Sequence, residues 1–213
     1  MQYKSLQTNI GGTYMRPVIL ASASPRRKEI LSKLNIPFMV EVSNVNEEDI
    51  SMKPEGLVQE LSLRKAKAVS EHHQDDIVIG ADTVVAIGDK VLGKPQDDQD
   101  AFDMINSIQG RCHQVYTGVT ICSPKGDYTF YEKTDVYVRK MSKAEIEEYI
   151  ATGEGQDKAG SYAIQGIFGQ YIIRYEGDYD NVVGLPGEHV KQILEELVLA
   201  GGRTFCQHLV VND

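Results

Sequence analysis

The chain predicts an α/β protein built on a mixed, twisted sheet flanked by helices. Three observations carry that reading: short apolar runs alternate with amphipathic stretches of helical period, one run (Ile77–Ala81) is apolar throughout, and two long strand-like segments flank the turn Pro124-Lys125-Gly126-Asp127. Alternation of strands and helices argues for parallel pairing. The hairpin adds an antiparallel part.

The elements follow in order. Pro17-Val18-Ile19-Leu20-Ala21 reads as a strand that runs into Ser22-Ala23-Ser24-Pro25-Arg26-Arg27. Ser24 suits the N-cap of a helix, Pro25 its first position, and Ile30, Leu31 and Leu34 its apolar face. Phe38 to Val42 reads as a strand, and an acidic loop through Glu47, Glu48 and Asp49 leads to a helix opened by Lys53-Pro54-Glu55 and closed near His72–Asp76. Ile77–Ala81 resembles a strand covered on both faces and ends at Asp82-Thr83; Val84 to Ile87 continues extended, and Gly88-Asp89 turns. Asp97 caps the next helix. Val115 to Cys122 and Tyr128 to Val138 form the hairpin, and Ser142-Lys143-Ala144-Glu145 is a capping box for a helix that Thr152-Gly153 ends. Residues 153–169 hold five glycines and read as a substrate-facing loop. Ile172 and Ile173 mark a strand, Gly177-Asp178 a turn, and Pro186 the start of the last helix, to about Ala200.

These segments give three parts: a flexible extension over 1–16, one domain over 17–200, and a loose tail over 201–213. Residues 1–16 have no apolar core of a signal peptide or membrane span. With 31 acidic against 22 basic side chains, the net charge of -9 argues against an extended nucleic-acid surface but leaves room for a small anion in a local basic pocket. Cys112, Cys122 and Cys206 are too far apart in sequence for metal-ligand spacing, and a reducing cytoplasm fits them.

Chemistry gathers at the ends of the apolar strands. Two arginines in the first turn of a helix oppose its dipole unless an anion is shared between backbone N–H groups and guanidinium forks, although a basic surface helix would look the same. Asp82 is a candidate general base or metal ligand, or else a turn aspartate satisfied by backbone N–H groups. Arg26, Arg27, Lys65, Lys94 and Glu47 complete the cations and carboxylates that phosphoanhydride chemistry requires. A GxxxxGK[ST] loop and a GxGxxG turn are both absent, which weighs against P-loop and Rossmann sites. Ser24, His113 and Asp82 could form a hydrolytic triad on paper, but no GxSxG elbow supports one.

Several segments in one order are more specific. Leu20–Arg27, Lys65-Ala66, Gly80–Val85, Gly93-Lys94-Pro95, Asp157–Tyr162, Ile164-Gln165-Gly166 and Gly177-Asp178-Tyr179 with Asn181–Pro186 resemble the Maf family of nucleoside triphosphate pyrophosphatases from about residue 17 to residue 200. The resemblance implies two lobes around a long cleft, as in the inosine triphosphatase group, and hydrolysis of dTTP and UTP to the monophosphate and pyrophosphate with a divalent cation, Mg2+ or Mn2+. It makes Asp82 the proton acceptor and, with Glu47, the metal ligand. Ser22, Arg27, Glu47, Lys65 and Lys94 match the polar cluster around phosphate and metal, and Ser24 in the same turn is a further substrate-binding candidate. Arg26, Thr83 and Gln165 match three positions linked to base choice. Housekeeping hydrolysis of modified nucleotides, or nucleotide-binding regulation of cell division without turnover, are the other functions such a chain could have. Asn44 and Asn46 stand where acidic residues are frequent in the family, Gly155 where proline is common, Ala163 where glycine is frequent, and Phe168 where another glycine is usual. These departures bear on loop shape and base selection rather than on the reaction. The partner expected is the nucleotide, with no membrane, and a homodimer is compatible with the sequence.

Overall fold

The computed structural model describes residues 8–10, 13–15, 18–47 and 50–199. β1 (Thr8–Ile10) and β2 (Thr13–Met15) pair as a separate antiparallel ladder. The rest of the segment read as a flexible extension, and the 201–213 tail, lie outside the described residues.

A seven-stranded mixed sheet forms the frame. Its order is β4 (Phe38–Val40), β3 (Val18–Leu20), β5 (Val78–Ile87), β7 (Cys112–Ser123), β8 (Gly126–Val138) and β9 (Ile172–Glu176), with β6 (Lys90–Leu92) also on β5. β3 is parallel to both β4 and β5, and every other pairing is antiparallel. The helices are α1 (Pro25–Lys33), α2 (Pro54–Ser70), α3 (Asp98–Ile108), α4 (Lys143–Ala151), α5 (Tyr179–Val183) and α6 (Gly187–Leu199). The Ser24, Asp97 and Ser142 caps form as the sequence predicts, the last as a reciprocal capping box with Glu145. No described helix is long and apolar enough to cross a membrane.

Three details differ from the sequence reading. Asp82 does not end a strand: β5 runs through it to Ile87, because β7 stays hydrogen-bonded along the strand while only β3 drops away after Ile79. The hairpin turn shortens to Pro124-Lys125, since Ser123 and Gly126 already pair. Between the Gly177-Asp178 turn and the last helix lies α5, too short for helical periodicity to reveal, capped by the Asp178 carboxylate accepting from Asp180 N at 2.8 Å.

One face of the sheet carries two hydrophobic cores, one at each end of the long strands. Ile79 and Ala81 of β5, with Val119 and Ile121 of β7, join α1 and α6 in the first; Val85 and Val115 join α3, α4 and Phe168 in the second. Between them lies the cross-strand pair Thr83–Thr117, a polar seam dividing the molecule into two lobes. At the same level β5 has lost β3 and has not yet met β6, whose pairing begins at Val85. That gap leaves a cleft in the sheet edge, with the Asp82 side chain on the α2 face and Thr83 on the seam face. α2 covers the opposite face, packing Ala66 and Val69 against Ile19 and Val78.

Candidate active site

The first wall of the cleft is the β3–α1 turn. Ser24 accepts from Arg27 N at 3.5 Å, and its own N–H donates to Ser22 Oγ at 3.2 Å. Arg27, the helix-opposing cation, folds back out of the first turn. Its Nε donates to Gly184 O at 2.8 Å, and its two terminal nitrogens donate to Ser22 Oγ at 3.0 Å and Thr83 Oγ1 at 3.1 Å. Burial lowers the Arg27 pKa, against the raising pull of the Asp82 and Glu47 charges; Arg26 lowers it further. Ser22 therefore accepts two hydrogen bonds and keeps its own proton free for an arriving acceptor. Beside the N-terminus of α1, such an arrangement could take an oxyanion.

Asp82 and Lys65 form the second wall. Lys65 Nζ donates to Asp82 Oδ1 at 2.7 Å and lies 3.0 Å from Glu47 Oε1, so one ammonium gathers both carboxylates. Asp82 is thus bound by a side chain rather than by backbone N–H groups. Only a close approach of helix to sheet permits this. A Cβ at Gly80 would lie 2.4 Å from Ser62 O, and one at Gly118, the cross-strand partner of Asp82, 2.2 Å from Val58 O. The two glycines let the α2 backbone rest directly on β5 and β7.

The Asp82 and Glu47 carboxylates could take part in holding a divalent cation. Two hard oxygen donors converge on one cationic centre, and each keeps a second oxygen without a hydrogen bond, a donor set suited to Mg2+ or Mn2+. No group of three or more His, Cys, Asp or Glu side chains able to hold a metal occurs among the described residues, so water and ligand oxygens would complete the shell.

Thr83 is held differently from Arg26 and Gln165. Thr117 Oγ1 donates to Asn181 O at 2.9 Å and so accepts from Thr83, which in turn accepts from Arg27: the chain Arg27, Thr83, Thr117, Asn181 runs one way. Thr83 thereby anchors Arg27. The Asp157 pKa in the 153–169 loop is lowered first by the Lys158 hydrogen bond, with a smaller contribution from the Arg26 charge. Gln165 is exposed, and the preceding Ile164 packs against both cores, which sets the glutamine at the seam. Lys94 is also exposed; the adjoining Gly93 carbonyl accepts from Gly160 N at 2.9 Å, stitching the Lys94 loop to the 153–169 loop.

Other candidates separate from the cleft. His113 is wholly buried in the second core, bonded to Tyr162 at 2.7 Å, so it forms no triad with Ser24 and Asp82. Sequence reading missed Thr117, Asn181 and the Gly184 carbonyl as supports of Arg27. Asn181 and Gly184 lay inside a motif already noted, but only the fold shows what they hold.

The Maf-like protein family matches residues 17–197. This chain belongs to that family. Maf-like relatives include proteins of Thermoanaerobacter sp. (strain X514), 49% identical over 84% of this chain and 95% of the relative, and Geobacillus sp. (strain WCH70), 49% identical over 81% and 93%. Another, from Agathobacter rectalis, is 45% identical over 86% and 98%; all three bear the name dTTP/UTP pyrophosphatase. The solved Ham1 structure from Staphylococcus aureus is similar over 85% of this chain and 100% of its own, at 12% identity and a TM-score of 0.47, too distant to bear on the site.

Proposed function

We propose that this Maf-like chain hydrolyses dTTP and UTP between the α and β phosphates, releasing the monophosphate and pyrophosphate. The observation that supports the reading is the Asp82–Lys65–Glu47 cluster together with the Ser22–Arg27 pair: two carboxylates that can activate water, and a hydroxyl and a guanidinium that can take phosphate oxygens. The names of the relatives agree with it.

In this mechanism the Ser22 hydroxyl, the α1 N-terminus and Arg27 bind phosphate oxygens and fix the α-phosphorus. Asp82 orients a water on the side away from the leaving group. The water oxygen bonds to the α-phosphorus, the bridging oxygen departs with pyrophosphate, and the released proton passes to Asp82. A carboxylate is a weak base at neutral pH, so alignment carries much of the acceleration. A divalent cation held by Asp82 and Glu47 would polarise the phosphoryl oxygens and offset their charge. Lys65 holds the carboxylates in place, and Lys94, exposed on its loop, stabilises the departing pyrophosphate.

Gln165 and Arg26 read the base. Thymine and uracil share one hydrogen-bonding edge and differ by a methyl worth only about 1 to 3 kcal/mol in a pocket. Cytosine reverses a donor and an acceptor, leaving a polar group unpaired. The free amide of Gln165 can both donate and accept. We place the reaction in the cytoplasm, where Cys112 and Cys122, both free thiols, stay reduced.

Pyrophosphate release across UTP, dTTP, CTP and GTP, with Mg2+, Mn2+ or a chelator, tests the proposal. UTP and dTTP are expected to lead, the chelator to abolish turnover, and Asp82→Asn to lower kcat by about a hundredfold or more with an unchanged circular dichroism spectrum. Absence of pyrophosphate from both substrates, or turnover by Asp82→Asn near that of the parent, overturns it.

A further inference from the structure

Glu154 sits just past α4, and its carboxylate turns back onto the backbone that follows Gln165. Oε2 accepts from Ile167 N at 2.6 Å, while Oε1 accepts from Phe168 N at 3.2 Å and from the Tyr149 hydroxyl at 3.1 Å. These two N–H groups open the 3₁₀ turn Ile167–Tyr171, an end with no intrahelical acceptors for them. The fit against the intervening residue is close: a Cβ at Gly166 would lie 2.1 Å from Glu154 Oε2, so any larger residue would push the carboxylate from its place.

The other side of this clasp is rigid. Tyr149, 1% exposed, packs edge-on against Phe168, which is wholly buried, at 5.0 Å between ring centroids. Burial, reinforced by the Glu154 charge, raises the Tyr149 pKa, so its hydroxyl stays a donor. The Glu154 carbonyl accepts from Lys158 Nζ at 2.6 Å, and Gly166 N donates to Ala163 O at 3.2 Å. Gln165 therefore emerges from a backbone clamped on both sides, while its own side chain makes no hydrogen bond to another described residue and is exposed. A glutamine left on a free loop would meet a base edge in many orientations and discriminate weakly; one on a fixed backbone presents its amide in few.

We propose that Glu154 is a positioning residue for base selection, holding the Gln165 backbone so that its amide discriminates uracil and thymine from cytosine. The inference rests on the reading of Gln165 as the base-facing residue. Glu154→Gln keeps the size but sets an amide N–H against one of three donors, and Tyr149→Phe removes one of those donors.

The test compares kcat/KM for UTP and CTP in the parent protein, Glu154→Gln, Tyr149→Phe and Gln165→Ala, with thermal melts and amide hydrogen exchange at Ile167 and Phe168. Glu154→Gln is expected to lower the UTP-to-CTP ratio about tenfold and Tyr149→Phe about threefold, with faster exchange at both amides. General loosening would lower both substrates together and leave the ratio intact. If Gln165→Ala collapses the ratio but Glu154→Gln and Tyr149→Phe preserve it, Glu154 has no part in selection. If Gln165→Ala itself leaves the ratio unchanged, the reading of Gln165 fails and takes this role with it. Should Glu154→Gln not fold, the Tyr149→Phe ratio decides.

Discussion

Replacing Gly80 by alanine should unseat the helix that carries Lys65. The added Cβ would lie 2.4 Å from Ser62 O and 2.6 Å from Ala66 N, whereas ordinary contact begins at 3.4 Å. Both atoms belong to the backbone turn containing Lys65, so no side chain can rotate away. α2 must retreat from β5 by about 1 Å, since repulsion rises steeply inside the contact distance. Overpacking of this kind costs about 2 kcal/mol, or about 4 to 8 °C in Tm for a domain of this size. The same retreat lengthens the 2.7 Å Lys65–Asp82 bond and displaces Lys65 from Glu47. A misplacement of about 1 Å at reacting groups lowers kcat/KM by about ten- to a hundredfold. Thermal melting and pyrophosphate release from UTP measure the two effects. Gly56→Ala in the same helix is the control, because its Cβ would meet only Met52 side-chain atoms at 3.8 and 3.9 Å; it should be neutral or stabilising by up to about 1 kcal/mol. A Gly80→Ala protein that melts within about 1 °C of the parent and keeps its activity would refute the backbone-contact argument.

Arg27→Lys should raise KM for UTP by about tenfold or more, because a single ammonium cannot serve Gly184 O, Ser22 Oγ and Thr83 Oγ1 in the fixed geometry of the guanidinium; steady-state kinetics check this. Stability should also depend on His113, whose pKa burial lowers from 6.5 to about 4, a smaller raising influence coming from Asp135. Above pH 6.5 the folded and unfolded states both hold it neutral; between 6.5 and 4 only the unfolded chain takes up the proton, so stability falls with pH over that window and levels off below it. The loss amounts to about 3 kcal/mol, and urea unfolding at several pH values should show its slope diminished in His113→Asn.

Much of the cleft was legible along the chain because its chemistry is written in short local segments. Ser24-Pro25 announces a helix start through capping and the missing proline N–H, and the apolar run before Asp82 announces a buried strand; both rules act over a few residues. The pairing of Asp82 with Lys65 was not legible, since it depends on two glycines, Gly80 and Gly118, that look like ordinary strand glycines until a helix lies across them. Gly155 shows the same limit. A Cβ there would lie 2.0 Å from Ser161 O, a collision visible only once the 153–169 loop is folded.

The sequence by itself determined the α/β class, the helix caps, the acidic balance and the identity of the cations and carboxylates, because these follow from composition and from interactions within one turn or one strand. Tertiary structure alone decided which groups meet. It made Asp82 an interior strand residue uncovered by the early end of β3, tied Arg27 to Thr83, and set Glu154 behind Gln165. Each of those contacts joins residues distant in sequence, and its geometry is fixed by how strands end and how closely backbones pack, neither of which any local pattern encodes.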